Sequence, residues 1–289
     1  MFDIVIRSLN ALLMIAMPLA LGVYLYRRLG ADWRLFGMGA VTFIASQVFH
    51  IPFNIWVLNP IIARLGLSMA VPAQLAVVAL LLGLSAGVFE EVARYLAYRF
   101  QLTVKQDRTW RSALMFGAGH GGIESVVIGV LVAYGFIHLF ALKDANLEAL
   151  IPIDQLAITR TQVDLFWSLP WYGAILGAVE RAATLCFHMS AAVLVLQAFR
   201  RKNIVWLFMA IGWHTLLDAM AVYASKTWSV YITEALIVGA GLVSIGVIFL
   251  LRERSSKPDD KTPTQIEEQS VEIEAQKPSL DHLEDSRYV

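Results

Sequence analysis

Seven apolar stretches of helix length leave this chain few ways to fold. They lie near residues 4–26, 35–58, 73–98, 111–141, 168–199, 203–224 and 230–251. About 20 helical residues span a hydrocarbon core of about 30 Å, so each stretch is long enough to cross a bilayer. In lipid every backbone N–H and C=O must find a partner within the protein, which leaves only helices or a closed barrel. The apolar runs are continuous rather than alternating, and that excludes the barrel. With 58% hydrophobic and only 16% charged residues, the chain is too apolar for a soluble domain. The expectation is an all-α integral membrane protein with about seven transmembrane helices. The fourth and fifth stretches are over-long and should tilt, kink or project from the bilayer. No basic n-region with a small-residue cleavage site marks a signal peptide, so the first stretch is read as retained.

Charge gives the orientation. The links after the first, third, fifth and seventh stretches hold Arg27, Arg28 and Arg34; Arg99, Lys105, Arg108 and Arg111; Arg200, Arg201 and Lys202; and Arg252, Arg254 and Lys257. The other side holds Arg7, Arg64, Lys143, Arg160 and Lys226, a balance of 13 to 5. The positive-inside rule then puts the N-terminus outside and the C-terminus in the cytoplasm, with membrane lipids as partners. The long link at about 142–167 falls outside, where 155–167 reads as a short amphipathic helix on the surface and Trp167, Trp171 and Tyr172 as an interfacial belt. From Ser255 to Val289 the chain turns polar, with nine acidic and four basic residues. It divides into a transmembrane domain, 1–254, and a disordered acidic cytoplasmic tail, 255–289. Basic residues sit at helix ends and form no patch, which argues against nucleic-acid binding. The single cysteine, Cys186, excludes an intramolecular disulfide and any multi-cysteine metal site.

Four of the seven stretches nonetheless carry ionisable groups. Glu90, Glu91 and Arg94 lie in the third, His120 and Glu124 in the fourth, His188 in the fifth, and His214 and Asp218 in the sixth. A charge at bilayer depth costs roughly 2.5–3.5 kcal/mol, so such groups mark a catalytic or binding centre by default. Glu90 is nine residues from Arg99, His120 nine from Arg111, His188 twelve from Arg200 and His214 twelve from Lys202. At 1.5 Å per residue all four lie roughly 13–18 Å from their basic flanks, in one layer, and are read as one site. Arg94 is three residues from Glu91 and four from Glu90, close enough to serve either carboxylate as counter-ion. His120 and Glu124 share a helix face, as do His214 and Asp218, and Asp218 could orient His214 by accepting a ring proton. The run Gly117, Gly119, Gly121 and Gly122 lets neighbouring backbones approach closely.

These residues resemble a known group. Glu90-Glu91-Val92-Ala93-Arg94 is similar to the first motif of the CAAX-protease and bacteriocin-processing superfamily and its PrsW-type relatives. Phe116-Gly-Ala-Gly-His120 resembles its second motif, and His214-Thr-Leu-Leu-Asp218 its last. His120-Gly-Gly-Ile-Glu124, with His188 on a helix of its own, most resembles the YhfC branch. The resemblance covers about residues 75–225. It implies an intramembrane endopeptidase in a bacterial plasma membrane, with a membrane-protein or peptide substrate and a site opening toward the cytoplasm. It implies that Glu90 or Glu91, with His120, activates water, and that His214 and Asp218 bind a metal or stabilise the oxyanion. The arginine follows the second glutamate by three residues rather than four, which leaves open which glutamate is catalytic. Asp218 stands where many members have Asn, which favours an orienting or liganding role.

Two mechanisms fit the residue types. His120, His188 and His214 with Glu124 could hold Zn²⁺, which acidifies bound water and acts as a Lewis acid. Alternatively, a buried glutamate takes a proton from water while histidines steady the oxyanion. No His-Glu-x-x-His is present, which excludes a zincin site but not a dispersed one. Buried Glu, His and Asp groups also serve proton-coupled transporters, although no inverted repeat is evident. A non-catalytic scaffold on the same fold is the other alternative. His50 and His138 lack a carboxylate at helical spacing and read as interhelical hydrogen-bonding residues. Glu180 reads as a structural partner of Arg181.

Overall fold

Helix starts are marked by side chains that satisfy otherwise orphaned N–H groups. The computed structural model describes residues 2–102 and 107–252. The expected tail at 255–289, with Lys105, Arg254 and Lys257, lies outside the described residues. Asp32 accepts from the Arg34 N–H at 2.8 Å and opens α2 (Trp33–Phe53). Thr109 accepts from the Ser112 N–H at 3.2 Å and opens α5 (Trp110–Leu142). Pro72 begins α4 (Pro72–Phe100), where its missing N–H costs nothing. Gly30, at φ 64°, ends α1 (Phe2–Leu29) in the left-handed conformation that favours glycine.

The second apolar stretch is longer than expected. Behind Pro52, α2 passes through a π-helical turn, Asn54–Leu58, into α3 (Asn59–Arg64). A short helix and a longer one fill the long link, α6 (Leu147–Leu150) and α7 (Ile153–Ser168), and the short α8 (Trp171–Ala174) opens the next span. The chain then runs through α9 (Leu176–Arg200), α10 (Val205–Thr227) and α11 (Val230–Leu250). Seven helices, with α2–α3 and α8–α9 each counted as one, are long and apolar enough to cross a membrane. No strand occurs among the described residues. The molecule is an all-helical, multi-pass membrane protein.

Packing is closest where glycine removes the side chain. Helix α5 lies centrally against α1, α2 and α9, while α10 pairs with α4 and α11 with α9. A Cβ on Gly119 of α5 would run into the Phe36 carbonyl of α2, and one on Gly39 of α2 into the Phe116 carbonyl of α5. Gly121 makes room for the His188 ring, whose Cδ2 would lie 2.6 Å from an added Cβ. Small residues at helix crossings are how packing compensates in lipid for the missing hydrophobic effect.

The buried apolar core is not spread evenly along the helices. Its main cluster gathers at the ends carrying the basic residues: Leu35 from α2, Tyr98 from α4, Met115 and Phe116 from α5, and Leu196 from α9, each 2% exposed or less. Trp110 donates its indole N–H to the Ile248 carbonyl at 2.8 Å and ties α5 to α11 at the same end. Large apolar side chains such as Val41, Phe49, Leu131 and Phe208 cover the outer faces, as expected for surfaces against acyl chains.

Candidate active site

Four helices deliver their ionisable groups to one place, as the shared depth suggested. Glu90 of α4 places Oε2 3.1 Å from Nε2 of His120 on α5, 3.7 Å from Arg94 and 3.8 Å from Nε2 of His214 on α10. Glu91 points the other way. Its Oε1 accepts from Arg94 and, at 2.7 Å, from Nδ1 of His214. Glu91 and Arg94 are fully buried, so each charge is compensated where water cannot help. The two adjacent glutamates thus face different surroundings. Glu91 is locked in an ion pair, and Glu90 faces imidazoles.

The same-helix pairing of Arg94 with Glu91 is close, as spacing suggested, but the two histidine–carboxylate pairs read from spacing are not. Glu124 does not pair with His120. Its Oε2 lies 2.5 Å from Nε2 of His188 on α9, and its Oε1 accepts from Arg181 at 2.7 Å. Asp218 stands 3.5 Å from Nε2 of His214, farther than Glu91 on the opposite nitrogen. In each case the carboxylate nearest the ring comes from another helix. Arg181 also pairs with Glu180, as expected of that residue. His138 is not an interhelical partner. It is exposed on α5 and makes an edge contact with Tyr134. His50 does bond between helices, with Nε2 3.0 Å from the Ser85 hydroxyl of α4.

Ligand atoms of Glu90, His120 and His188 lie within 4.8 Å of one another, all three residues buried. A carboxylate with two imidazoles is a donor set that zinc accepts. It differs from the expected set: Glu90 stands in for Glu124, and His214 turns to Glu91. On the His120 side the surroundings fit a cation. With Nε2 donating to Glu90, Nδ1 of His120 is buried and has no hydrogen-bond partner among the described residues. Nε2 of His188 is taken by Glu124, which leaves Nδ1 as its ligand atom. That atom now accepts from Arg94 Nη2 at 2.7 Å, and a metal held there would have to displace the Arg94 guanidinium. Carboxylates that hold the far nitrogen of an imidazole in this way are usual at metal sites.

Spacing alone did not reveal the contribution of α2. Gln47 donates to Glu90 Oε1 at 3.0 Å and accepts from Nδ1 of His50 at 3.3 Å. Asn54 in turn donates to Nε2 of His50 at 3.0 Å. Gln47, His50 and Asn54 fall at i, i+3 and i+7, one polar stripe on an otherwise apolar helix, and that stripe was the signal available. Arg181, buried beside Glu124, was the other functional neighbour missed.

A cavity of about 340 Å³ adjoins the cluster. Its walls run from Glu90 back to Leu82 on α4, from His188 to Glu180 on α9, from His214 on to Val222 on α10, and from His50 on to Asn54. Every one of these progressions leads away from the basic helix ends. The resemblance implied an opening toward those ends. The tight core around Tyr98, Phe116 and Leu196 closes that route between α4, α5 and α9, and the apolar groove of about 500 Å³ between α2 and α4 that reaches Gln101 is lined by neither Glu90 nor His120.

Seven helices able to span a membrane, around a buried cluster of carboxylates and imidazoles, define a polytopic membrane protein with a polar centre. The sequence profile of the YhfC intramembrane metalloprotease family matches residues 13–239, and the chain belongs to that family. It is 28% identical over 255 residues to the uncharacterized membrane protein YhfC of Bacillus subtilis (strain 168), covering 87% of this chain and 96% of that one. No solved structure matches the chain.

Proposed function

We propose that this protein is an intramembrane endopeptidase that hydrolyses a peptide bond in or near the bilayer, with Glu90, His120 and His188 holding zinc. The buried Glu90/His120/His188 group beside the cavity carries the reading. The description of the family points the same way. Zinc held there supplies a water acidified to a pKa of about 7 and a Lewis acid for the scissile carbonyl.

The chain's own residues supply the rest. Glu124 holds Nε2–H of His188 and Arg181 holds Glu124, which fixes the ring's tautomer and orientation. Gln47 occupies one oxygen of Glu90 and leaves the other toward His120. His214 is fastened by Glu91 at one nitrogen and presents the other to the cavity beside Asp218. It is placed to stabilise charge on a substrate oxygen. Asp218, 36% exposed at its side chain, is placed to take the proton that water loses and return it to the departing amine.

Metal analysis of protein purified in detergent, paired with cleavage of single-span reporter proteins in liposomes, tests this. Wild type should carry stoichiometric zinc, and Glu90→Gln and His120→Ala should lose it. His214→Ala should keep zinc and lose cleavage. Zinc-free wild type that still cleaves, with activity abolished in Glu90→Gln, would assign water activation to the Glu90–His120 pair alone. A folded protein that cleaves nothing but carries protons or solute would sink the hydrolase reading, and an inactive one bound to a stable partner would make it a scaffold.

A further inference from the structure

We infer that the polar site is reached from the extracytoplasmic face, and that its substrate is a polypeptide segment presented from that side. Such a segment is the exported flank of a membrane-anchored protein. The substrate half rests on the hydrolase reading; the direction of access rests on geometry.

Three observations agree. The first is exposure. Side-chain exposure is 0% at Glu91, 8% at Glu90, 22% at Glu124, 32% at Glu180 and 36% at Asp218. Glu91 and Glu90 lie eight and nine residues from their basic flank, Glu124 thirteen, Asp218 sixteen and Glu180 twenty, so the three more exposed carboxylates are the three farther from the basic ends. The second is closure at the basic end. Tyr98, Leu102, Met115, Phe116 and Leu196 have essentially no exposed surface and fill the space between the site and the basic links. Interiors at such packing density have few voids larger than a water molecule. The third is sidedness. The 13 to 5 bias of basic residues assigns the closed end to the cytoplasm and the cavity to the outside. Polar groups at several levels of the wall, Asn54 and Thr184 among them, give water partners along the path.

Single cysteines test the route. The native thiol, Cys186, is first removed as Cys186→Ala. Val222→Cys and Thr184→Cys then probe the cavity wall, Leu196→Cys the packed core, and Lys202→Cys the basic end. A membrane-impermeant maleimide is applied to intact cells, to permeabilised cells and to denatured protein. The expected pattern is labelling of Val222→Cys and Thr184→Cys in intact cells, of Lys202→Cys only after permeabilisation, and of Leu196→Cys only after denaturation. Cavity positions that react only after permeabilisation, or only after denaturation, overturn the proposal. Two liposome reporters sharing one apolar span then test the substrate. One carries its cleavable flank on the cavity side and one on the basic side, and only the first should be cut. Cleavage of the second overturns the substrate assignment. If neither is cut while labelling follows the expected pattern, the hydrolase reading falls with that assignment and the route of access stands.

Discussion

Adjacent residues Glu90 and Glu91 differ in what they touch, and so in what their loss should do. Glu91 neutralises a fully buried guanidinium and fastens His214. Breaking a buried ion pair by removing one partner typically costs about 3–5 kcal/mol, so Glu91→Gln should unfold markedly earlier in denaturant titrations of the detergent-solubilised protein. Gln47 makes no ion pair, and its amide orients Glu90. Gln47→Leu should leave the unfolding midpoint near wild type and weaken zinc binding by roughly 10–100-fold in a competition titration, the usual effect of losing a hydrogen bond that orients a metal ligand. Equal losses of stability in both variants would refute this division. The sequence exposed the layer of ionisable groups, because depth along a helix is a matter of counting. It exposed Arg94 as counter-ion to the glutamates but not which carboxylate each histidine takes. Neighbours four apart on one helix run roughly parallel, and His120 and Glu124 each take a partner that meets them from across the bundle.

At the scale of elements, the site depends on how closely α2 and α5 cross. Gly39 and Gly119 allow each backbone to touch the other, and this contact brings Gln47 to Glu90 and Phe43 to 5.3 Å from the His120 ring. Gly119→Val would force side-chain carbons into the Phe36 carbonyl. Overpacking of this kind costs typically 1–3 kcal/mol, so the variant should lose stability and zinc affinity together, whereas valine at Gly135, which has open space, should lose neither. Unfolding curves and metal titration on the two variants settle the point. Spans and their number were legible from hydrophobic length alone. The π-helical turn at Asn54–Leu58 was not, because it shifts the register of an apolar helix without altering its composition. It begins at Asn54, the last residue of the polar stripe, and such turns often occur at functional sites.

For the whole molecule, the packed basic end and the cavity beyond it make a blind well rather than a channel. A transporter on this frame would have to part Tyr98, Phe116 and Leu196, which are buried together. Liposomes containing the protein should therefore hold a proton gradient as long as empty ones, as read by an entrapped pH dye. A fast, protein-dependent leak would return the transporter to favour. The packed end has an electrical consequence as well. A transmembrane voltage drops across the insulating part of its path and hardly at all across water. Moving one charge through 100 mV is worth about 2.3 kcal/mol, a large bias for any buried carboxylate that shares the drop. With the well hydrated, Glu90 and Asp218 sit close to the potential of the compartment they open to, and the hydrophobic plug carries the field. Peptide cleavage by this protein should then proceed at the same rate in energised and depolarised membranes.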